Sequence, residues 1–292
     1  MIRIAILQAN SSHPEAFINI INGPESPFAG RARVETIWDE DPALSEANAA
    51  LGVSVVPDLD QALRSVDLAM VCGRWGDQHP DMAIELANRK IPTFIDKPIA
   101  SSYARACDVA SAFTSAGVPA FSASAYRFAP ELLAFTKSLD RLGSFVSGHA
   151  AGLSEWPDLG PKGRQLYFYA VHTAEMIQTV FGAGIETVKV HPGPSSDIAI
   201  LKYADGRQVD WHLLRDCGEI YEVSFYGRAG RDRVRINPDG AYYENMLDAA
   251  VTMSETNVSP VPLGHSVEIV SLLDAVTVAR QHPDRSFPLA IG

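Results

Sequence analysis

The sequence predicts an α/β protein in two parts: an N-terminal doubly wound Rossmann-type domain on a parallel sheet, and a C-terminal α+β domain with an open, largely antiparallel sheet. Three observations carry this. Short apolar runs alternate with helix-period segments as far as Ser122. Strands that are apolar throughout and separated by helices belong in a parallel sheet covered on both faces. Beyond Ser124 longer alternating strands take over, and Asp205-Gly206 between two of them marks a two-residue hairpin. The domains are accordingly 1–123 and 124–292.

In order, Arg3–Leu7 reads as a buried strand, Pro14–Asn22 as a helix, Arg33–Trp38 as a strand and Pro42–Leu51 as a helix stopped near Gly52. Val53–Val56, Leu68–Cys72, Thr93–Asp96 and Pro119–Ser122 read as further strands, with helices at Asp60–Ser65, Pro80–Arg89 and Tyr103–Ala116. The ligand of such a sheet lies at the carboxyl ends of its strands. In the second part a mostly helical stretch reaches Leu142, and strands follow at Ser144–Ala150, Glu186–His191, Ile198–Tyr203, Gln208–Leu214, Tyr221–Tyr226 and Arg231–Ile236. Helices are expected at Gln165–Phe181, Tyr243–Glu255 and Ser266–Arg280.

Composition bounds the partners. The chain has 292 residues, 47% apolar and 20% charged, enough to bury a large core. Its net charge of −11 argues against nucleic acid and anionic membrane, because phosphate binding needs a basic stripe, and favours small-molecule partners. Cys72, Cys107 and Cys217 lack CxxC or metal-ligand spacing. They read as reduced core thiols of a cytoplasmic protein without a metal site. The opening MIRIAILQAN has too short an apolar run for a signal peptide, and no stretch of about 18 apolar residues is present for a membrane helix.

Several residues sit where chemistry is expected. Asp39 follows the second strand, where an acid accepts hydrogen bonds from adenosine ribose hydroxyls; Glu40 and Asp41 beside it would repel a 2′-phosphate, favouring NAD over NADP. The same cluster also fits a helix start at Asp41-Pro42. The first turn, Gln8 to Glu15, lacks the G-x-G-x-x-G fingerprint. Ser12-His13-Pro14-Glu15 fits a capping box, and a dinucleotide held there would depend on the side chains of Asn10, Ser11 and Ser12. After the fourth strand, Gly73 and Gly76 permit close approach, and Arg74 or His79 could hydrogen-bond a ribose or substrate; an ordinary polar loop before a helix fits equally well.

Lys97 stands between Asp96 and Pro98 where an apolar run stops, in a chain with only 6 lysines among 24 basic residues. A surface ion pair with Asp96 and a functional ammonium both fit that position. On the Gln165–Phe181 helix the aliphatic stripe is Val171, Ala174, Ile177 and Phe181, and His172 lies off it on a face with Phe168, Glu175 and Thr179. That spacing predicts that His172 lines a cleft. His172 and Glu175 could suggest a metal, but no further ligand cluster joins them.

Asp96-Lys97-Pro98 resembles the Glu-Lys-Pro signature of the Gfo/Idh/MocA family of NAD(P)-dependent oxidoreductases. Trp38 to Pro42, the Gly73 to His79 loop, Tyr126 to Pro130 and Tyr169 to Glu175 are similar to that family in order and spacing, so the resemblance covers nearly the whole chain. It implies a divergent member with a Rossmann domain, a second domain for substrate binding and homo-oligomerisation as a dimer or tetramer, bound NAD, and hydride transfer at a sugar or polyol carbon. It further implies that Lys97 hydrogen-bonds the reacting hydroxyl near the nicotinamide ribose, and that His172 takes the hydroxyl proton. An ammonium suits a developing alkoxide. Arg127, Glu155 and Trp156 are the implied substrate contacts, Trp156 as a stacking surface. Two positions depart from the family. The first turn lacks glycine, and Phe168 stands where many members carry an aspartate, leaving Tyr167, Tyr169 or Glu155 to compensate. Two other functions fit the same residues: a lyase or epimerase using NAD as a transient redox relay, and a non-catalytic ligand-binding protein.

Overall fold

The computed structural model describes residues 1–155, 165–215, 217–238 and 240–290. Strands β1 (Ile2–Leu7), β2 (Ala32–Trp38), β3 (Ser54–Val55), β4 (Leu68–Val71), β5 (Thr93–Ile95) and β6 (Ala120–Ser122) form an all-parallel sheet in the order β3-β2-β1-β4-β5-β6. Ile4 to Leu7, Leu68 to Val71 and Phe94 to Ile95 are fully buried. This is the burial expected of strands covered on both faces. The order reverses between β1 and β4, and in such sheets the ligand position is at the carboxyl ends of the strands at that switch point.

Helices α1 (His13–Asn22), α2 (Pro42–Glu46), α3 (Leu59–Ala62), α4 (His79–Asn88) and α5 (Tyr103–Ala116) connect these strands. The expected helix over 42–51 is split. It leaves the α form after Glu46, resumes as one 3-10 turn at Ala49–Leu51, and ends on Gly52 at φ 76. Asn48 contributes to the break, because its side chain donates to Leu44 O at 3.2 Å and so competes with the helical pattern.

The second sheet runs β12-β11-β7-β10-β9-β8-β13, built from β7 (Phe145–Glu155), β8 (Ile185–His191), β9 (Ser196–Tyr203), β10 (Gln208–Arg215), β11 (Tyr221–Gly227), β12 (Gly230–Arg235) and β13 (Phe287–Pro288). Its neighbours are antiparallel except β7 with β10, which makes the sheet mixed. The β9–β10 hairpin turns at Asp205-Gly206, with Gly206 at φ 84 and Asp205 Oδ1 accepting the Arg207 amide hydrogen at 3.0 Å. β7 runs past Ala150 to Glu155, and the two-residue edge strand β13 has no periodicity long enough to be seen in sequence. Helices α6 (Pro130–Lys137), α7 (Gln165–Phe181), α8 (Tyr242–Thr256) and α9 (Leu263–Gln281) complete the chain. Among the described residues no helix is long and apolar enough to cross a membrane.

The chain forms two compact units. One comprises Met1–Ala100, Ala104–Ala123 and Tyr243–Ser266; the other comprises Ser101–Tyr103, Ser124–Tyr242 and the residues from Val267 on. The segment from Tyr243 to Ser266, which lies in the 124–292 half of the sequence, thus packs with the first sheet. Its polar contacts show why. Arg31 reaches Asp248, Thr252 and Glu255, Ser254 Oγ donates to Asp67 O at 2.8 Å, and Ser259 Oγ donates to Ala120 O at 2.8 Å.

Candidate active site

In the first unit the turn after β1 is built without glycine. Gln8 adopts φ 63, the left-handed conformation that glycine takes most easily. Its side-chain nitrogen donates to Gln78 O at 2.8 Å, and its Oε1 is buried with no hydrogen-bond partner among the described residues. Asn10 Oδ1 accepts the Arg74 amide hydrogen and Ser11 Oγ donates to Cys72 O, at 2.8 and 2.7 Å. Both side chains therefore brace the turn against the loop after β4, while Ser12 is exposed.

The expected capping box is not formed. Ser12 has helical angles (φ −80, ψ −10) and makes no side-chain cap; Ser11 Oγ takes the His13 amide hydrogen instead, at 3.3 Å. A capping side chain normally projects from an extended residue, and Ser12 is not extended. At the end of β2, Asp39 Oδ2 accepts the Ala9 amide hydrogen at 2.6 Å and Oδ1 accepts that of Asp41 at 2.9 Å. Each oxygen keeps acceptor capacity beyond that one bond. Asp41 itself caps α2 through Ala43 N at 3.1 Å, so the acidic cluster does begin a helix.

His79 is not placed to meet a ribose. It is 0% exposed, with Nδ1 2.7 Å from Pro98 O and Nε2 2.7 Å from Gly73 O. It ties the loop after β4 to the segment after β5. Gly73 is tightly packed in the same way, since a Cβ on it would lie 2.8 Å from Gln8 Oε1 and 3.1 Å from His79 Cδ2. The Arg74 guanidinium lies over the Trp75 ring at 5.5 Å.

Lys97 is 5% exposed and Asp96 4%, so neither is a surface group. Asp96 Oδ1 accepts the Lys97 amide hydrogen at 2.7 Å, and Oδ2 makes a short contact with His13 Nδ1. Burial pushes the Asp96 carboxyl up, but the charge and hydrogen bond of His13, with Lys97 and His79 behind them, outweigh it and bring it from 3.8 down to about 2. A buried anion is held next to a buried lysine.

In the second unit His172 lies on α7 with its Nδ1 2.6 Å from Ser124 Oγ, and Ser124 Oγ also accepts the Tyr126 amide hydrogen at 3.2 Å. The rings of Tyr126 and Tyr221 flank the imidazole at 4.8 and 5.4 Å. Ser124 orients the histidine; it had no signal in the sequence beyond preceding Tyr126. The supposed substitutes for an aspartate at 168 are turned elsewhere. Tyr167 hydroxyl bonds Asp274, Glu155 pairs with Arg280 at 2.7 Å, and Tyr169 is buried with the Phe168 ring edge-on at 4.9 Å.

Glu175, expected on a cleft-lining face, is instead 3% exposed. Its Oε1 accepts the Ser124 amide hydrogen at 2.8 Å and its Oε2 accepts from Arg127 Nε at 2.8 Å, with Arg127 Nη2 donating to Gln178 at 2.7 Å. Arg127 is therefore a half-buried brace between the segment before α6 and α7, and Glu155 carries a salt bridge. Trp156 lies outside the described residues. Cys72 is buried, but Cys217 is exposed and so is no core thiol.

Residues 10–124 match the model of GFO_IDH_MocA, described as an oxidoreductase family with an NAD-binding Rossmann fold. The N-terminal domain belongs to the Gfo/Idh/MocA family. Solved structures resemble the chain over its length. Myo-inositol dehydrogenase from Lactobacillus casei, in complex with NAD(H) and myo-inositol, has a TM-score of 0.84 at 13% identity, covering 100% of this chain and 98% of that one. A myo-inositol dehydrogenase from Corynebacterium glutamicum gives 0.83 at 16%, covering 100% of both. The WlbA dehydrogenase from Bordetella pertussis, in complex with NADH and UDP-GlcNAcA, gives 0.80 at 18%, covering 100% and 99%. At these identities the likeness is one of fold. No curated protein matches the sequence.

The residues of this Gfo/Idh/MocA domain fit a dinucleotide. The switch point lies between β1 and β4, and Asp39 retains acceptor capacity at the end of β2 for ribose hydroxyls. Among the described residues no cluster of three or more His, Cys, Asp or Glu could hold a metal.

Proposed function

We propose that the protein is an NAD-dependent dehydrogenase acting on a secondary hydroxyl of a sugar-like or cyclic polyol substrate. The buried Lys97 beside the ionised Asp96, at the carboxyl end of β5 in an NAD-binding fold, is the observation that carries this. The nicotinamide, when bound, supplies the hydride acceptor or donor. Lys97 hydrogen-bonds the reacting oxygen and stabilises negative charge developing on it. His172 takes the hydroxyl proton; Ser124 can accept from Nδ1–H or donate to bare Nδ1, so it suits either tautomer. Asp39 binds the adenosine ribose hydroxyls, and Glu40 and Asp41 beside it favour NAD over NADP. Ser12 is the exposed member of the turn trio that meets the phosphates. A homo-oligomer in the cytoplasm is the setting we infer, from the family resemblance and the reduced cysteines.

Calorimetric titration with NAD(H) and NADP(H) tests this. Micromolar to submillimolar binding of NAD(H), at least about tenfold tighter than NADP(H), is expected, which is about 1.4 kcal/mol. Absence of binding to either would overturn the reading. With binding in hand, Lys97→Ala should abolish dinucleotide-linked turnover on a polyol and sugar panel.

A further inference from the structure

Three side chains from distant parts of the first unit meet in one line behind Lys97. Tyr243 hydroxyl lies 3.0 Å from His13 Nε2, His13 Nδ1 closes on Asp96 Oδ2, and Asp96 Oδ1 accepts the Lys97 amide hydrogen at 2.7 Å. The side chains of His13 and Asp96 are only 17% and 5% exposed. The imidazole is held in its plane by Phe17, stacked at 5.3 Å, and by Tyr243, edge-on at 5.4 Å. Asp96 is one methylene shorter than the glutamate of the Glu-Lys-Pro pattern, and His13 reaches in to meet it.

A buried carboxylate persists as an anion only when its oxygens are partnered. His13 serves one oxygen of Asp96 and the Lys97 amide serves the other. The other titratable groups facing Asp96 are Lys97 on its own segment, His79 from α4 and Cys72 at the end of β4. Burial and the Asp96 charge push the Cys72 thiol up, so it stays neutral. His79 is engaged by two carbonyls. His13 is a basic group bonded to the carboxylate by its side chain.

We propose that His13 and Tyr243 are positioning residues for Lys97, acting through Asp96. Tyr243 fixes the imidazole, His13 holds the carboxylate in place as an anion, and the carboxylate fixes the backbone from which the Lys97 ammonium extends. This deepens the dehydrogenase reading and rests on Lys97 meeting the reacting hydroxyl.

The test uses the full chain labelled with 13C at aspartate carboxyls and 15N at backbone amides, titrated without cofactor or substrate. In the unaltered protein the Asp96 carboxyl resonance should show no protonation of the carboxylate from pH 8 down to about pH 3, and the Lys97 amide should show no step of its own in that protonation. In His13→Ala both should titrate together above about pH 4, because burial then acts on Asp96 with less opposition. Tyr243→Phe removes one hydroxyl and should move both the same way by less, which keeps the test open if His13→Ala fails to fold. Flat resonances in the folded variants overturn the proposal. In turnover assays His13→Ala should lower kcat by at least about tenfold, with a smaller change in KM for the dinucleotide, and an unchanged kcat also overturns it. If the unaltered protein binds no nicotinamide dinucleotide, the dehydrogenase reading fails by itself and the titration still decides whether His13 acts on Lys97 through Asp96.

Discussion

Asp96 links pH to stability with a definite sign. Its carboxyl lies at about 2 in the folded protein against 3.8 ordinarily, so between those values the unfolded chain binds more protons. Its contribution is complete above about pH 4 and disappears as the pH falls toward 2. Asp96→Asn should cost about 2 kcal/mol at pH 7 and lose that difference near pH 2, as urea unfolding at both pH values would reveal. Arg127→Met should cost about 3–5 kcal/mol by removing the guanidinium that faces the buried Glu175 carboxylate, in the same assay. On the proposed reading of His172, Ser124→Ala should lower kcat by about tenfold while Ser124→Thr keeps most of it, against a loss of about 100-fold or more for His172→Asn, because one change releases the proposed acid–base group and the other removes it. None of these three contacts was legible in sequence. Asp96 is 83 residues from His13, Glu175 is 48 from Arg127, and His172 is 48 from Ser124, so no local spacing announces them. Lys97 itself stood out because a signature of three adjacent residues is local.

At the level of elements the sequence was most legible where one rule acts alone. The apolar runs of β1, β4 and β5 could only be doubly covered strands, and Asp205-Gly206 could only be a turn. It was least legible where side chains compete with the backbone, as Asn48 does in splitting the helix after Pro42. Helical period also misled at α7. It put Glu175 on the cleft-lining face with His172, but Glu175 is covered by the segment carrying Ser124 and Arg127 and is buried. The seat of α7 on β7 depends on Gly152, where a Cβ would lie 1.9 Å from Thr173 Oγ1 and 2.9 Å from the Tyr221 ring. Gly152→Ala should therefore lower stability by about 1–3 kcal/mol through overpacking, seen as a reduced Tm in calorimetry. Because His172 precedes Thr173 on that helix, the same variant should also weaken turnover.

For the molecule as a whole, the two units are not two halves of the chain. The first is completed by residues that follow the greater part of the second, and these supply Tyr243 and the partners of Arg31. A fragment of residues 1–123 should accordingly unfold at lower urea concentration than the first unit of the full chain, and a chain cut before Tyr243 should show the same weakness in that unit, followed by hydrogen exchange of β1 and β4.

The return of the chain at Tyr243 also sets an order in time. Synthesis from the amino end delivers all six strands of the first sheet by Ser122, yet Ser266, which closes that unit by donating to Ser122 O at 2.8 Å, is made 144 residues later. At about 5–20 residues per second this is a wait of roughly 7–30 s. During it the flank of the sheet that α8 will cover stands bare, and the second unit is being made in the interval. The nascent protein therefore holds an unfinished first sheet while its other unit is being made.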